Sequence, residues 1–88
     1  MSEKELEKVL KALANRRRIA ILQYLKRVGT APVGDIADAI KLSFKATSKH
    51  LLILSNADIV EKEQISLSMI YSLAQHTHPL VRQLLSLV

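Results

Sequence analysis

The chain has 88 residues, 49% of them hydrophobic but only 3% aromatic, with two glycines, two prolines and no cysteine. A chain this short buries only about 60% of the surface that its unfolded form exposes, so some of this aliphatic surface is expected to face a second subunit. The missing cysteine excludes disulfide frameworks, thiolate zinc sites and cysteine nucleophiles and fits a reducing, cytoplasmic setting, and no signal peptide or membrane span is expected. So few glycines and prolines also count against disorder or a turn-rich sandwich. The formal net charge of +5 comes entirely from Met1 to Val28, where eight basic residues meet three acids. Such a bias points to a polyanionic partner, although a solvated helix face has the same composition.

Leu6, Val9, Leu10 and Leu13 recur at helical spacing among lysines and glutamates, which predicts an amphipathic helix over residues 3–13. Asn15 reads as the cap of a second helix running to about Val28, with Ile19, Ile21, Leu22 and Leu25 inward and Gly29 as its stop. Thr30, Ala31 and Pro32 form a short extended link. A third helix follows from Val33 to Ile40, placing Val33, Ile36, Ala37 and Ile40 on one face and Asp35 near the positive end of its dipole. Ser43 caps a fourth helix to about Ser55, with Thr47, His50, Leu51 and Leu54 on its inner side. Only Lys41 and Leu42 separate the two, so the helices cross steeply as a helix-turn-helix over about 33–55.

After Asp58 the period changes to two. Ile65, Leu67, Met69, Tyr71 and Leu73 alternate with serines, which reads as a half-buried strand whose antiparallel partner is Ile59 to Glu63, with a turn near Gln64 to Ser66. This two-stranded hairpin, over about 59–73, is a wing. Pro79 precedes a last amphipathic segment, Leu80 to Val88, that carries only Arg82 as charge. Its apolar side is expected to pair with the first helix and with their copies across a two-fold axis. Leu6, Val9, Leu10, Leu13, Leu80, Val81, Leu84, Leu85 and Val88 are therefore the candidate dimer face, on helices of about 3–13 and 79–88. The fold class is mainly α with a small β-hairpin: a single winged helix-turn-helix domain over 1–88, dimeric through its terminal helices.

Residues 9–74 resemble the ArsR-type family of winged helix-turn-helix transcriptional regulators. The resemblance is carried by LKALANRRRIAILQYL (Leu10 to Leu25), VGDIADAIKLSFKATSKHLLIL (Val33 to Leu54), NADIV (Asn56 to Val60) and IYSL (Ile70 to Leu73). Of these, the Ser-Lys-His-Leu portion within its helix is the most specific. It implies a homodimer whose fourth helix enters the major groove of double-stranded DNA. Helix geometry says which side chains could do so: with Thr47, His50, Leu51 and Leu54 inward, Phe44, Lys45, Ser48, Lys49 and Leu52 point outward. Ser48 can bond a base edge, Lys45 and Lys49 can reach phosphates or guanine, and Phe44 can meet a thymine methyl. Lys41 in the turn, Arg18, which matches the family's arginine and reads as either a structural or a phosphate-side residue, and Lys62, the cation of the wing, complete the candidate DNA-binding set. His50 reads as a hydrogen-bonded core residue rather than a DNA contact.

Departures from the family pattern bear on affinity. The wing is usually basic, but Glu61, Lys62, Glu63, Gln64 and Ile65 carry acids that repel phosphate. Lys41 replaces a usual glycine and Leu52 a usual lysine. Many relatives sense metals through a cysteine pair where this chain has Ala31-Pro32-Val33-Gly34-Asp35, so that thiolate site is absent. His76 and His78 are weak metal candidates, since a spacing of two suits neither face of a helix and no acid lies in the terminal segment. No cofactor is expected, and the sequence names no effector. Three histidines, no glycine-rich phosphate loop and no paired carboxylates give no basis for an enzyme. The acidic wing and exposed Leu52 leave open a rival reading, a winged-helix module that binds protein and has little DNA affinity.

Overall fold

The computed structural model describes residues 1–88. Its elements are α1 (Glu3–Leu13), α2 (Arg16–Val28), β1 (Thr30–Pro32), α3 (Val33–Ile40), α4 (Phe44–Asn56), β2 (Val60–Ile65), β3 (Ser68–Leu73) and α5 (Pro79–Leu87). The winged helix-turn-helix expected from the sequence is present, and no helix is long and apolar enough to cross a membrane.

Most boundaries are set by local side-chain chemistry. Free amides in the first turn of a helix need acceptors, and three short polar side chains supply them: Ser2 Oγ accepts from Glu5, Asn15 Oδ1 from Arg18 and Ser43 Oγ from Ala46, each at 3.1 Å. At α5 the imidazole of His78 takes this role, its Nδ1 accepting from the Leu80 amide at 3.0 Å, with Pro79 in the first turn. Gly29 ends α2 at φ 89°, a conformation that is costly for a residue with a Cβ. Lys41 ends α3 in the left-handed region, at φ 55° and ψ 51°. There the Leu42 amide donates to Ala37 and the Lys41 amide to Asp38, a Schellman closure completed by a non-glycine residue.

Two sequence expectations change. Thr30 to Pro32 is a strand as well as a link: β1 pairs antiparallel with β3, Ala31 opposite Tyr71, so the sheet has three strands in the order β1-β3-β2. Pro32 is tolerated because β1 lies at an edge, where a missing N–H leaves no central ladder bond unmade. The wing turn also lies further along than Gln64 to Ser66. Ile65 pairs with Ser68, so Ser66 and Leu67 form the tip, Ser66 at φ 58° and Leu67 98% exposed rather than half-buried. Register explains the shift, because Val60 and Tyr71 must face the core, and a one-residue slip would turn both to solvent.

All five helices contribute to one core. Ile21, Leu22 and Leu25 of α2 pack with Val33 and Ile36 of α3, Leu51 and Leu54 of α4, and Ala31, Val60 and Tyr71 of the sheet. Val9, Ala12 and Leu13 of α1 and Val81 of α5 belong to the same cluster. Three residues of the candidate dimer face, Val9, Leu13 and Val81, are thus already buried within a single chain. They support an outer apolar surface rather than form it. Ile19, expected inside, is only half-buried.

One polar group in this core is unmatched. Thr47 is fully buried in α4, and its hydroxyl has no hydrogen-bond partner. An unpaired buried hydroxyl costs about 1–3 kcal/mol, so Thr47→Val, which keeps the shape and removes the hydroxyl, should raise stability by about 1 kcal/mol in urea unfolding. Thr47→Ala should lower it through lost packing.

Candidate nucleic-acid interface

The surface that could meet DNA is built by the α3–α4 crossing. The Lys41 closure stops α3 abruptly, and Ser43 starts α4 two residues later. Burial of Thr47, Leu51 and Leu54 then fixes the rotation of α4. Lys45, Lys49 and Leu52 stand exposed on the opposite side, and Ser48 is half-buried. Phe44 is 63% exposed and overhangs a cleft shared with Pro32, Val33, Gly34 and the wing residues Leu67 to Met69. Lys41 is exposed in the turn.

The wing distributes its charges by face. Cross-strand partners share a side of the sheet, and Val60, Lys62 and Gln64 lie opposite Leu73, Tyr71 and Met69. Because Val60 and Tyr71 are buried, this is the side that packs on the helices. Glu61, Glu63 and Ile65 pair with Ser72, Ile70 and Ser68 on the other side. The acids therefore project away from Lys62 and Gln64, and the wing is not uniformly repulsive to phosphate.

Of the two roles open to Arg18, structural and phosphate-side, the structure shows contacts of the structural kind. The side chain is not turned outward to phosphate. Its Nε donates to the Ala12 carbonyl at 2.6 Å and its Nη2 to the Lys11 carbonyl at 3.0 Å. The last four carbonyls of a helix lack intrahelical partners, and here each is answered: Leu10 by the Ala14 amide, Leu13 by the Asn15 amide, Lys11 and Ala12 by Arg18. The third arm, Nη1, lies 3.3 Å from Nδ1 of His50. A guanidinium only donates, so Nδ1 must accept, which assigns the imidazole proton to Nε2. Arg17 is also engaged, its Nη1 donating to the Ile40 carbonyl at the end of α3 at 3.2 Å. Three consecutive cations at a positive helix end were the available signal, since charges opposing a dipole call for nearby acceptors.

Among the remaining candidates, Leu10 and Leu13 of α1, Ala14 just after it, and Leu80, Gln83, Leu84 and Leu87 of α5 line an apolar groove of about 300 Å³. Leu6 is exposed farther along α1, and Leu85 is half-buried, its carbonyl accepting from Lys26 Nζ at 2.5 Å. Val88 lines a different hollow, with Ala20, Tyr24 and Ile40. His78 is occupied as the α5 cap, and His76 is exposed nearby.

Comparison with known proteins agrees with this geometry. Residues 15–62 match the model of the family described as bacterial regulatory protein, arsR family. The chain belongs to the ArsR family. It is 39% identical over 64 residues to the HTH-type transcriptional regulator NmtR of Mycobacterium tuberculosis, a match covering 73% of this chain and 52% of that protein. The chain thus spans about half the length of this curated relative. The homodimeric winged helix-turn-helix DNA-binding domain of a possible ArsR-family regulator from Mycobacterium bovis superposes with a TM-score of 0.82 at 29% identity, covering 99% of this chain and 82% of that one. The antimony-specific transcriptional repressor AntR superposes at 0.77 with 28% identity, covering 98% and 78%. Family and fold are those of DNA-binding transcriptional regulators, not of enzymes.

In this ArsR-family domain the surroundings of His50 disfavour its protonated form. Burial first, and then the positive charges of Arg18 and Arg17, hold its pKa below the ordinary 6.5. The unfolded chain therefore takes up the proton first as pH falls. The associated stability is complete at neutral pH and is lost as pH drops below 6.5 toward the folded-state value. Urea unfolding at about pH 7.5 and about pH 5.5 should show this loss, and His50→Asn, which keeps an acceptor near Nδ1 but does not titrate, should reduce it.

Proposed function

We propose that this chain is a homodimeric transcriptional regulator that represses by occluding a promoter, with α4 of each subunit in one half of an inverted repeat. The observation that carries the reading is the rotation of α4, which buries Thr47, Leu51 and Leu54 and leaves Lys45 and Lys49 exposed on the opposite face, with Ser48 half-exposed. The early part of a recognition helix is where base edges are met, and these residues occupy its first two turns. Lys41 and Lys62 flank them as candidates for phosphate contact. Phe44, beside the cleft at the wing tip, is the candidate for contact with an apolar base edge.

The apolar groove between α1 and α5 supports self-association. An exposed surface formed by Leu10, Leu80, Leu84 and Leu87 is the kind that a two-fold partner covers. The regulator is not read as a thiolate metal sensor, because these 88 residues contain no cysteine. The other reading, a protein-binding winged helix, draws on Leu52 and Ile53, which are 53% and 42% exposed on α4.

Selection of bound genomic fragments at two salt concentrations separates the two readings, since only the DNA regulator enriches a defined inverted repeat. On that fragment, Lys45→Ala with Lys49→Ala should weaken binding and, because a dimer loses four lysines, reduce the slope of log affinity against log salt by about 4. An unchanged affinity would remove α4 from the interface. Leu84→Asp should convert the dimer into a species of one-chain mass in light scattering, with its helical circular dichroism retained.

A further inference from the structure

The contacts of Arg18 reach three elements: its own helix α2, the carbonyl end of α1, and His50 on α4. Of these, α1 carries part of the proposed dimer face and α4 the proposed DNA-reading face. We propose that Arg18 is a positioning residue for the recognition helix, locking α4 to the end of α1 through His50, and that protonation of His50 opens this lock and weakens specific DNA binding. The inference rests on the reading that α4 enters the groove.

The chemistry is that of a donor fork with three acceptors. The fork is planar, so satisfying the Lys11 and Ala12 carbonyls at 3.0 and 2.6 Å fixes the direction of Nη1. His50 can meet Nη1 only while its Nδ1 lone pair is free. A proton on Nδ1 would set donor against donor, and cation against cation, across 3.3 Å. Nothing nearby offsets that repulsion. The charged groups bearing on His50 are Arg18 and Arg17, both from α2 and both positive. From α1 the lock meets only the two neutral carbonyls, and the Lys11 ammonium is paired on the exposed side with Glu7 at 3.9 Å. Lys45 and Lys49 on α4 are exposed on its outer face, and Arg17 is held to the Ile40 carbonyl of α3. No carboxylate contributes. Either α4 shifts away from α2, or the guanidinium leaves the end of α1.

The sign of the effect is diagnostic. Added positive charge on a DNA-binding protein ordinarily tightens its hold on phosphate, whereas the lock predicts weaker specific binding on acidification. With the full chain and its selected fragment at constant salt, affinity should fall between about pH 7.5 and about pH 5.5, as His50 takes up its proton. His50→Asn should bind nearly as well as the wild type at the higher pH and lose little at the lower one. Arg18→Gln should bind more weakly at both, with an unchanged salt slope, because the Arg18 guanidinium is engaged within the chain. Without DNA, an NMR titration of the His50 ring should show its midpoint rising in Arg18→Gln. A midpoint that does not move, or a wild-type affinity that is flat or rises on acidification, overturns the lock. A chain that enriches no DNA at either pH overturns the recognition-helix reading and this inference with it, and the ring titration tells that failure apart from a missing Arg18–His50 contact.

Discussion

The carbonyls at the end of α1 open toward the first turn of α2, and a single guanidinium answers two of them. Were Arg18 absent, the Lys11 and Ala12 carbonyls would need water at a junction where Ala12 and Leu13 are buried. The same fork reaches His50, so one side chain ties the boundary between α1 and α2 to α4. Burial of Thr47, Leu51 and Leu54 sets which face α4 hides, and the imidazole contact adds a directional constraint that dispersion alone lacks. The proposed association face on α1 and the proposed recognition face on α4 are thereby joined through one contact.

Much of this architecture was legible in the residues, and the reason is local. Asn15, Ser43, Gly29 and Pro79 act within one turn of where they stand, so both ends of α2 and the starts of α4 and α5 follow from chemistry visible in the chain. The rotation of α4 was equally readable, because a helix with Thr47, Leu51 and Leu54 at one side has only one apolar stripe to bury. What failed to show was everything that depends on partners distant in sequence. Thr30 to Pro32 looks like a link until Ile70 to Ser72 lies beside it, and Leu67 continues an alternating pattern that only the pairing of Val60 with Leu73 interrupts.

Charges were the least legible of all. A count places Arg16, Arg17 and Arg18 together as a basic cluster, yet two of the three spend donors on backbone carbonyls, those of Lys11, Ala12 and Ile40. Formal charge says nothing about which donors are already engaged, and an arginine bonded to helix-end carbonyls still carries its full charge. Aliphatic content was divided in a similar way. Val9, Leu13 and Val81 close the core of one chain, and the surplus that composition pointed to is the smaller set around Leu10, Leu80, Leu84 and Leu87.

Strand β2 carries a further consequence. Its residues alternate in sign as well as in face, Glu61 and Glu63 on one side and Lys62 on the other. Inserting a single residue directly after Val60 would exchange those sides, presenting two negative charges where one positive charge now stands, with every charged residue retained. The electrostatic polarity of the wing is thus an odd-or-even property of chain length. A protein-coding change too small to disturb the helices could invert it.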